Sequence, residues 1–172
     1  MAHEPIHPSF DFSDKGRGYA DLATSVHSLL EGERNLIANL ANTAALIYHA
    51  LPDLNWAGFY LIGPNAQNAT THELILGPFQ GKTACVRIAI GKGVCGTAAA
   101  TRETQLVPDV HTFPGHIACD SASNSEIVLP LINNNGELLG VLDLDSPVLE
   151  RFDAIDQQGL ERIVRTLLAT LR

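Results

Sequence analysis

Apolar residues recur along this chain with two distinct periods. Leu22, Val26, Leu29 and Leu30 keep the three- and four-residue spacing of one helical face, and the stripe stops near Gly32. Leu36, Leu40, Ala44, Ile47 and Leu51 predict a second helix, which Pro52 ends. Residues 56–62 are continuously apolar over a short run, as in a buried strand, and Gly63-Pro64-Asn65 turns it. A polar loop to His72 leads to strands over 74–79 and 84–90, divided by the turn Gln80-Gly81-Lys82. In the later strand Val86, Ile88 and Ile90 form the apolar face, and Cys85 shares the opposite face with Arg87 and Ala89. A short Ala-rich helix follows glycines 91, 93 and 96, and a brief strand covers 105–107. Residues 108–124 form a long irregular loop, of a length that is often functional in a small domain. Residues 127–132 and 138–144 pair as a hairpin around Asn133-Asn134-Asn135-Gly136. The last helix starts near Asp153 and buries Ile155, Leu160, Ile163, Val164, Leu167, Leu168 and Leu171. Helices at both ends of an antiparallel sheet predict an α+β domain with the helices packed on one sheet face.

The hairpin carries an unusual set of charges. Glu126 shares the parity of Val128 and Ile132, and Asp143 shares that of Asp145 on the partner strand. A turn centred on Asn134-Asn135 places Glu126 opposite Asp143; a turn at Asn135-Gly136 places it opposite Asp145. Both registers gather three carboxyl groups on one face, an arrangement that costs repulsion. A solvated outer face is the plain explanation. Leu139, Val141, Val128 and Ile132 lie on the same face, however, and a mixed apolar and acidic hollow suits a ligand with an apolar chain and a cationic group. Crowding should raise at least one of these pKa values and leave a proton available for donation.

Composition narrows the class. The 172 residues fit one domain, and 45% apolar against 17% charged residues supply a core. Eleven basic against nineteen acidic residues give a net charge of −8, which disfavours nucleic acid and anionic membranes as partners. The start, MAHEPIHPSF, lacks the basic and apolar segments of a signal sequence, and no run approaches the roughly 18 apolar residues of a membrane span. Three cysteines make an odd count without the density of a disulfide scaffold, so a cytoplasmic protein with reduced thiols is expected.

Those thiols are then candidates for chemistry. Cys119 lies in the long loop, where cations or free amide groups could lower its pKa, and Cys85 or Cys95 could serve as a resolving partner. Cys95, between Gly93 and Gly96, reads as packed. His111, His116 and Cys119 could hold zinc with one more cysteine, but H-x4-H-x2-C matches no standard finger, and no metal is expected. Gly91-Lys92-Gly93-Val94-Cys95-Gly96 spells the dinucleotide-binding glycine pattern, yet the chain lacks the strand–helix alternation that goes with it. These glycines more simply permit a tight turn and a close helix-to-sheet approach.

Asn55-Trp56-Ala57-Gly58-Phe59-Tyr60, Gly77-Pro78-Phe79-Gln80-Gly81-Lys82 with Ala84-Cys85, and Gly93-Val94-Cys95-Gly96-Thr97 together resemble the free methionine-(R)-sulfoxide reductases. So do Phe113-Pro114-Gly115-His116-Ile117-Ala118-Cys119-Asp120, Ser125-Glu126-Ile127-Val128 and Gly140-Val141-Leu142-Asp143-Leu144-Asp145. The resemblance spans about residues 55–156. It implies a GAF-like domain over 19–172 behind an N-terminal extension over 1–18, with a ligand pocket on the sheet face away from the terminal helices. It further implies that Cys119 attacks the sulfoxide sulfur and becomes a sulfenic acid, that Cys85 resolves it as an intramolecular disulfide, and that thioredoxin reduces that bond. Cys95 would be the family's third cysteine. Glu126, Asp143 and Asp145 would bind the substrate ammonium and protonate its oxygen, with Trp56 and Tyr60 around the sulfur end and the loop at Ile117 and Ala118 holding the carboxylate. No bound cofactor is implied, and a homodimer is common in the family. The alternative from another class is a GAF-like sensor that binds a small ligand without turnover.

Overall fold

The computed structural model describes residues 9–116 and 120–171. Helix α1 (Lys15–Leu30) starts where the Asp14 side chain accepts from the Arg17 N–H, and α2 (Leu36–Ala50) where Asn35 accepts from the Ala38 N–H. Helix α4 (Ala154–Ala169) opens with a reciprocal capping box between Asp153 and Asp156. Strands β1 (Trp56–Pro64), β2 (His72–Gly81), β3 (Arg87–Ala89), β4 (Gln105–Val107), β5 (Ser125–Ile132) and β6 (Leu138–Ser146) form one antiparallel sheet in the order β3-β2-β1-β6-β5-β4.

The alternation of each strand divides the core into two layers. Ala57 and Phe59 of β1, Ile127, Leu129 and Leu131 of β5, and Leu142 and Leu144 of β6 pack on one face against Tyr19, Leu22, Val26, Leu40, Ile47, Leu160, Ile163 and Leu167 of α1, α2 and α4. The intervening residues Trp56, Tyr60, Val128 and Val141 face the other way, onto helix α3 (Gly93–Thr101). The expected α+β architecture is present, with the terminal helices on one face.

Buried Asp156 ties α4 to α1: it accepts from the Tyr19 hydroxyl at 2.8 Å and pairs with Lys15 and Arg151. The glycine-rich turn into α3 behaves as a packing device. The Gly91 N–H donates to the Gly96 carbonyl, and a Cβ on Gly96 would stand 2.4 Å from the Ala89 carbonyl oxygen, so only glycine lets α3 approach β3 this closely.

Two expectations need correction. The strand expected over 84–90 is only three residues long; it lies at a sheet edge, where Val86 is 63% exposed and Ile90 is exposed too, so Ile88 alone of that apolar trio is buried. Leu29 and Ile155, read as core, are also exposed, because each sits at the solvent margin of its helix.

Candidate functional site

Strand register decides which side chains meet. Glu126 pairs with Asp145 across β5 and β6, and Val128 pairs with Asp143, the second of the two registers open to the sequence. The turn is not a two-residue one. The Gly136 N–H donates to the Asn133 carbonyl, the Asn133 side chain accepts from the N–H groups of Asn135 and Glu137, and Gly136 adopts φ +78°. A three-residue loop with a left-handed glycine, followed by an irregularity at Leu131/Ile132, thereby sets the pairing. On the next strand, Trp56 pairs with Asp145 and Gly58 with Asp143. The inward side chains of three adjacent strands therefore converge at one end of the sheet.

They line a cleft whose empty space, counted out to the solvent at its mouth, is about 520 Å³. Its walls come from Trp56 and Tyr60, the three acids, the first turn of α3 with Cys95, Thr83 and Ala84 of the β2–β3 loop, and His116, Asp120 and Ser123 from the long loop. Trp56 stacks between Tyr60 and Phe79, with ring centroids at 5.8 and 5.3 Å. The Trp56 indole N–H donates to the Lys82 carbonyl and the Tyr60 hydroxyl to the Cys85 carbonyl, both at 3.0 Å, which fixes the β2–β3 loop over the aromatic wall.

Glu126 and Asp143 are each 6% exposed. Burial pushes both carboxyl groups well above the ordinary range, and so too for Asp145; the negative charges of the trio push further in the same direction. The Asp143 Oδ1 atom is buried and has no hydrogen-bond partner. The Cys95 Sγ lies 4.0 Å from Glu126 Oε1, and its thiol is raised by burial and then by the neighbouring Asp143 and Glu126. Cys95 is thus held as a neutral thiol, a poor nucleophile. His116 Nε2 stands 3.5 Å from Glu126 Oε2, and burial lowers the pKa of its ring.

The raised carboxyl groups bear on stability. A group whose folded pKa exceeds its unfolded value favours the fold below the unfolded pKa and loses that contribution as pH rises through the folded value. The contribution of this trio to the stability of the ligand-free protein should therefore fall as pH climbs above the ordinary carboxylate range near 4. Asp143→Asn removes one of the crowded charges, so thermal melts at pH 8 should show a higher Tm than wild type, by about 2–4 °C for each kcal/mol of strain relieved. At pH 4 the gap should close.

Of the residues singled out from sequence, the structure brings Glu126, Asp143, Asp145, Trp56, Tyr60 and Cys95 to one cleft. Cys85 packs partly buried beside it, not turned away as its strand parity implied, because the chain leaves β-geometry before Arg87. Ile117, Ala118 and Cys119 lie outside the described residues. Among the described residues, His111 pairs with Asp109 at 2.8 Å, and neither it nor His116 belongs to a cluster with metal-ligand spacing. The grouping among them that has such spacing is Cys95, Glu126 and Asp143, the buried thiol and two of the three acids of the cleft itself. Reading the sequence assigned Asn55 and Ser123 no place at the site; only the tertiary fold brings them there, Ser123 in the wall and Asn55 bonded to it.

Comparison with known proteins places this geometry. The GAF domain family model matches residues 25–171. The chain is 54% identical over 154 residues to the free methionine-R-sulfoxide reductase of Escherichia coli, covering 90% of this chain and 88% of that protein. It superposes with a TM-score of 0.87 on the free methionine-R-sulfoxide reductase from Neisseria meningitidis solved in complex with its substrate, at 42% identity and 96% coverage of both chains. A putative GAF sensor protein from Burkholderia vietnamiensis is also similar, at 56% identity and a TM-score of 0.85, covering 92% of this chain and 99% of that one. No helix among the described residues is long and apolar enough to cross a membrane. The chain belongs to the GAF-domain family and, within it, to the free methionine-R-sulfoxide reductases.

Proposed function

We propose that this protein reduces free L-methionine (R)-sulfoxide to methionine in the cleft at the end of β1, β5 and β6, within a catalytic domain over 19–172. The observation that carries this reading is the buried acid trio beside an aromatic wall, with Asp143 Oδ1 unpartnered. A buried carboxyl oxygen without a donor is left unsatisfied, and the substrate ammonium supplies both the donor and the positive charge that draws Asp143 toward its ionised form. Glu126, next to His116 on the segment leading to Cys119, is the proton donor: burial and the Asp145 charge raise its pKa, so it holds its proton to higher pH than an ordinary carboxyl. Trp56 and Tyr60 take the methyl–sulfur end, and the loop at Ile117 and Ala118 takes the carboxylate.

In the first step the Cys119 thiolate attacks the sulfoxide sulfur while Glu126 protonates the oxygen. Methionine sulfur gains two electrons, and the oxygen ends on Cys119 as a sulfenic acid. The Cys85 thiolate then attacks that sulfur; the S–O bond breaks, the S–S bond forms, and the departing hydroxide takes a proton to become water. A thioredoxin dithiol reduces the disulfide by exchange. Cys95, kept neutral among the acids, stays out of this relay. The family resemblance extends to a homodimer and a cytoplasmic setting.

Peptide-bound methionine sulfoxide has no free ammonium, so it would leave the buried carboxylates unpaired. Coupled to thioredoxin and its NADPH-dependent reductase, the protein should consume NADPH with the free sulfoxide and not with the sulfoxide inside a peptide. Binding of the free sulfoxide without NADPH consumption would assign the cleft to ligand sensing instead.

A further inference from the structure

The proposed relay requires two separate segments to meet, and the described contacts join them through side chains that no step of the chemistry uses. Lys82 stands three residues before Cys85, and Asp120 directly follows Cys119 in the chain. The Lys82 Nζ lies 3.3 Å from Asp120 Oδ2. Asn55 Nδ2 donates to the same oxygen at 3.3 Å and to the Ser123 hydroxyl at 3.0 Å. The other Asp120 oxygen accepts from the Ala122 N–H at 2.9 Å, and these contacts, that N–H first, hold the carboxyl below its usual range and therefore charged. Both anchors are themselves fixed: the Asn55 N–H donates to the Asp145 carbonyl at 3.0 Å, and the Lys82 carbonyl receives the Trp56 indole.

From this bridge we infer that Lys82 and Asp120 form a clasp that positions the two cysteine-bearing segments for closure of the Cys85–Cys119 bond, with Asn55 as its anchor on the sheet. The inference rests on the relay proposed above. Asp120 is held from two sides: Asn55 ties it to the end of β1, and Lys82 ties it to the loop that leads to Cys85. Restricting both segments raises the effective concentration of one sulfur near the other, and because Lys82 lies outside the lining of the cleft, loosening the clasp from its side leaves the attack on substrate untouched. Lys82 and Asp120 are positioning residues here; they neither donate nor accept the reacting proton. The Lys82 side chain is 73% exposed, so the effect of the pair is modest and sensitive to salt.

The test is a rapid-quench single turnover on the reduced full chain, following methionine, dimedone-trapped sulfenic acid and disulfide separately. Lys82→Met should release methionine at the wild-type rate, close the disulfide about two- to five-fold more slowly, and accumulate sulfenic acid. Lys82→Arg should restore closure. Asp120→Asn should slow closure as well, and the double variant should be no slower than the worse single one. Salt at about 1 M, where the screening length falls to roughly 3 Å, should slow closure in wild type and leave Lys82→Met unchanged. Closure at the wild-type rate in Lys82→Met, or slowing matched by an equal loss in methionine release, would overturn the clasp. Failure of the relay itself looks different: wild type would then release methionine with neither sulfenic acid nor a Cys85–Cys119 disulfide, and the clasp would fall with it.

Discussion

Cys119→Ser should release no methionine above background, even in a single turnover at high enzyme concentration. A serine hydroxyl ionises far less readily than a thiol, and its oxygen cannot take the sulfoxide oxygen to form a sulfenic acid. Nor can the remaining cysteines substitute. Cys95 is buried against two carboxyl groups that disfavour its thiolate, and Cys85 has its carbonyl tied to Tyr60 at the rim of the aromatic wall. The readout is methionine released per enzyme from the free R epimer, with circular dichroism to show that the variant is folded. Release at even a tenth of the wild-type yield would move the nucleophile elsewhere.

Glu126→Gln is the second large effect. The substitution keeps the shape and the contact surface but removes the proton that the sulfoxide oxygen needs, so the chemical step should slow by about 10²–10⁴-fold. The pH profile gives the sharper signature. In the proposed step Glu126 acts in its protonated form, and burial raises its pKa, so wild-type single-turnover rates should fall as pH passes above that raised value. In Glu126→Gln that descending limb should vanish along with most of the rate. A variant that keeps the limb would make Asp143 or Asp145 the donor.

Much of this was readable in the residue order, for reasons that particular elements make plain. Helices α2 and α4 carry apolar stripes long enough to define one face, and the parity of Glu126, Asp143 and Asp145 survives any two-residue shift in register, so their common face was certain before their pairing was. The pairing itself depended on a three-residue loop closed by the side chain of Asn133, a choice among turn types that four consecutive polar residues leave open. The edge position of β3 explains why its alternation misled. An isolated apolar pattern says which residues share a face, not whether a neighbour covers that face, and Val86 stays largely exposed. Helix α1 begins at Lys15, a turn and more before its first stripe residue Leu22, because Asp14 caps it there and Tyr19 anchors the added turn through a hydroxyl bond to Asp156 across the fold. The bridge from Lys82 to Asp120 joins residues 38 positions apart in the numbering and could be seen only in three dimensions.

The most direct measurement is the methionine yield when reduced enzyme, with no added reductant, meets each sulfoxide epimer separately. The account predicts about one methionine per chain from the free R epimer, because one Cys119 is oxidised once and then trapped by Cys85, and almost none from the S epimer. No methionine from the R epimer, or equal yields from both, would contradict it.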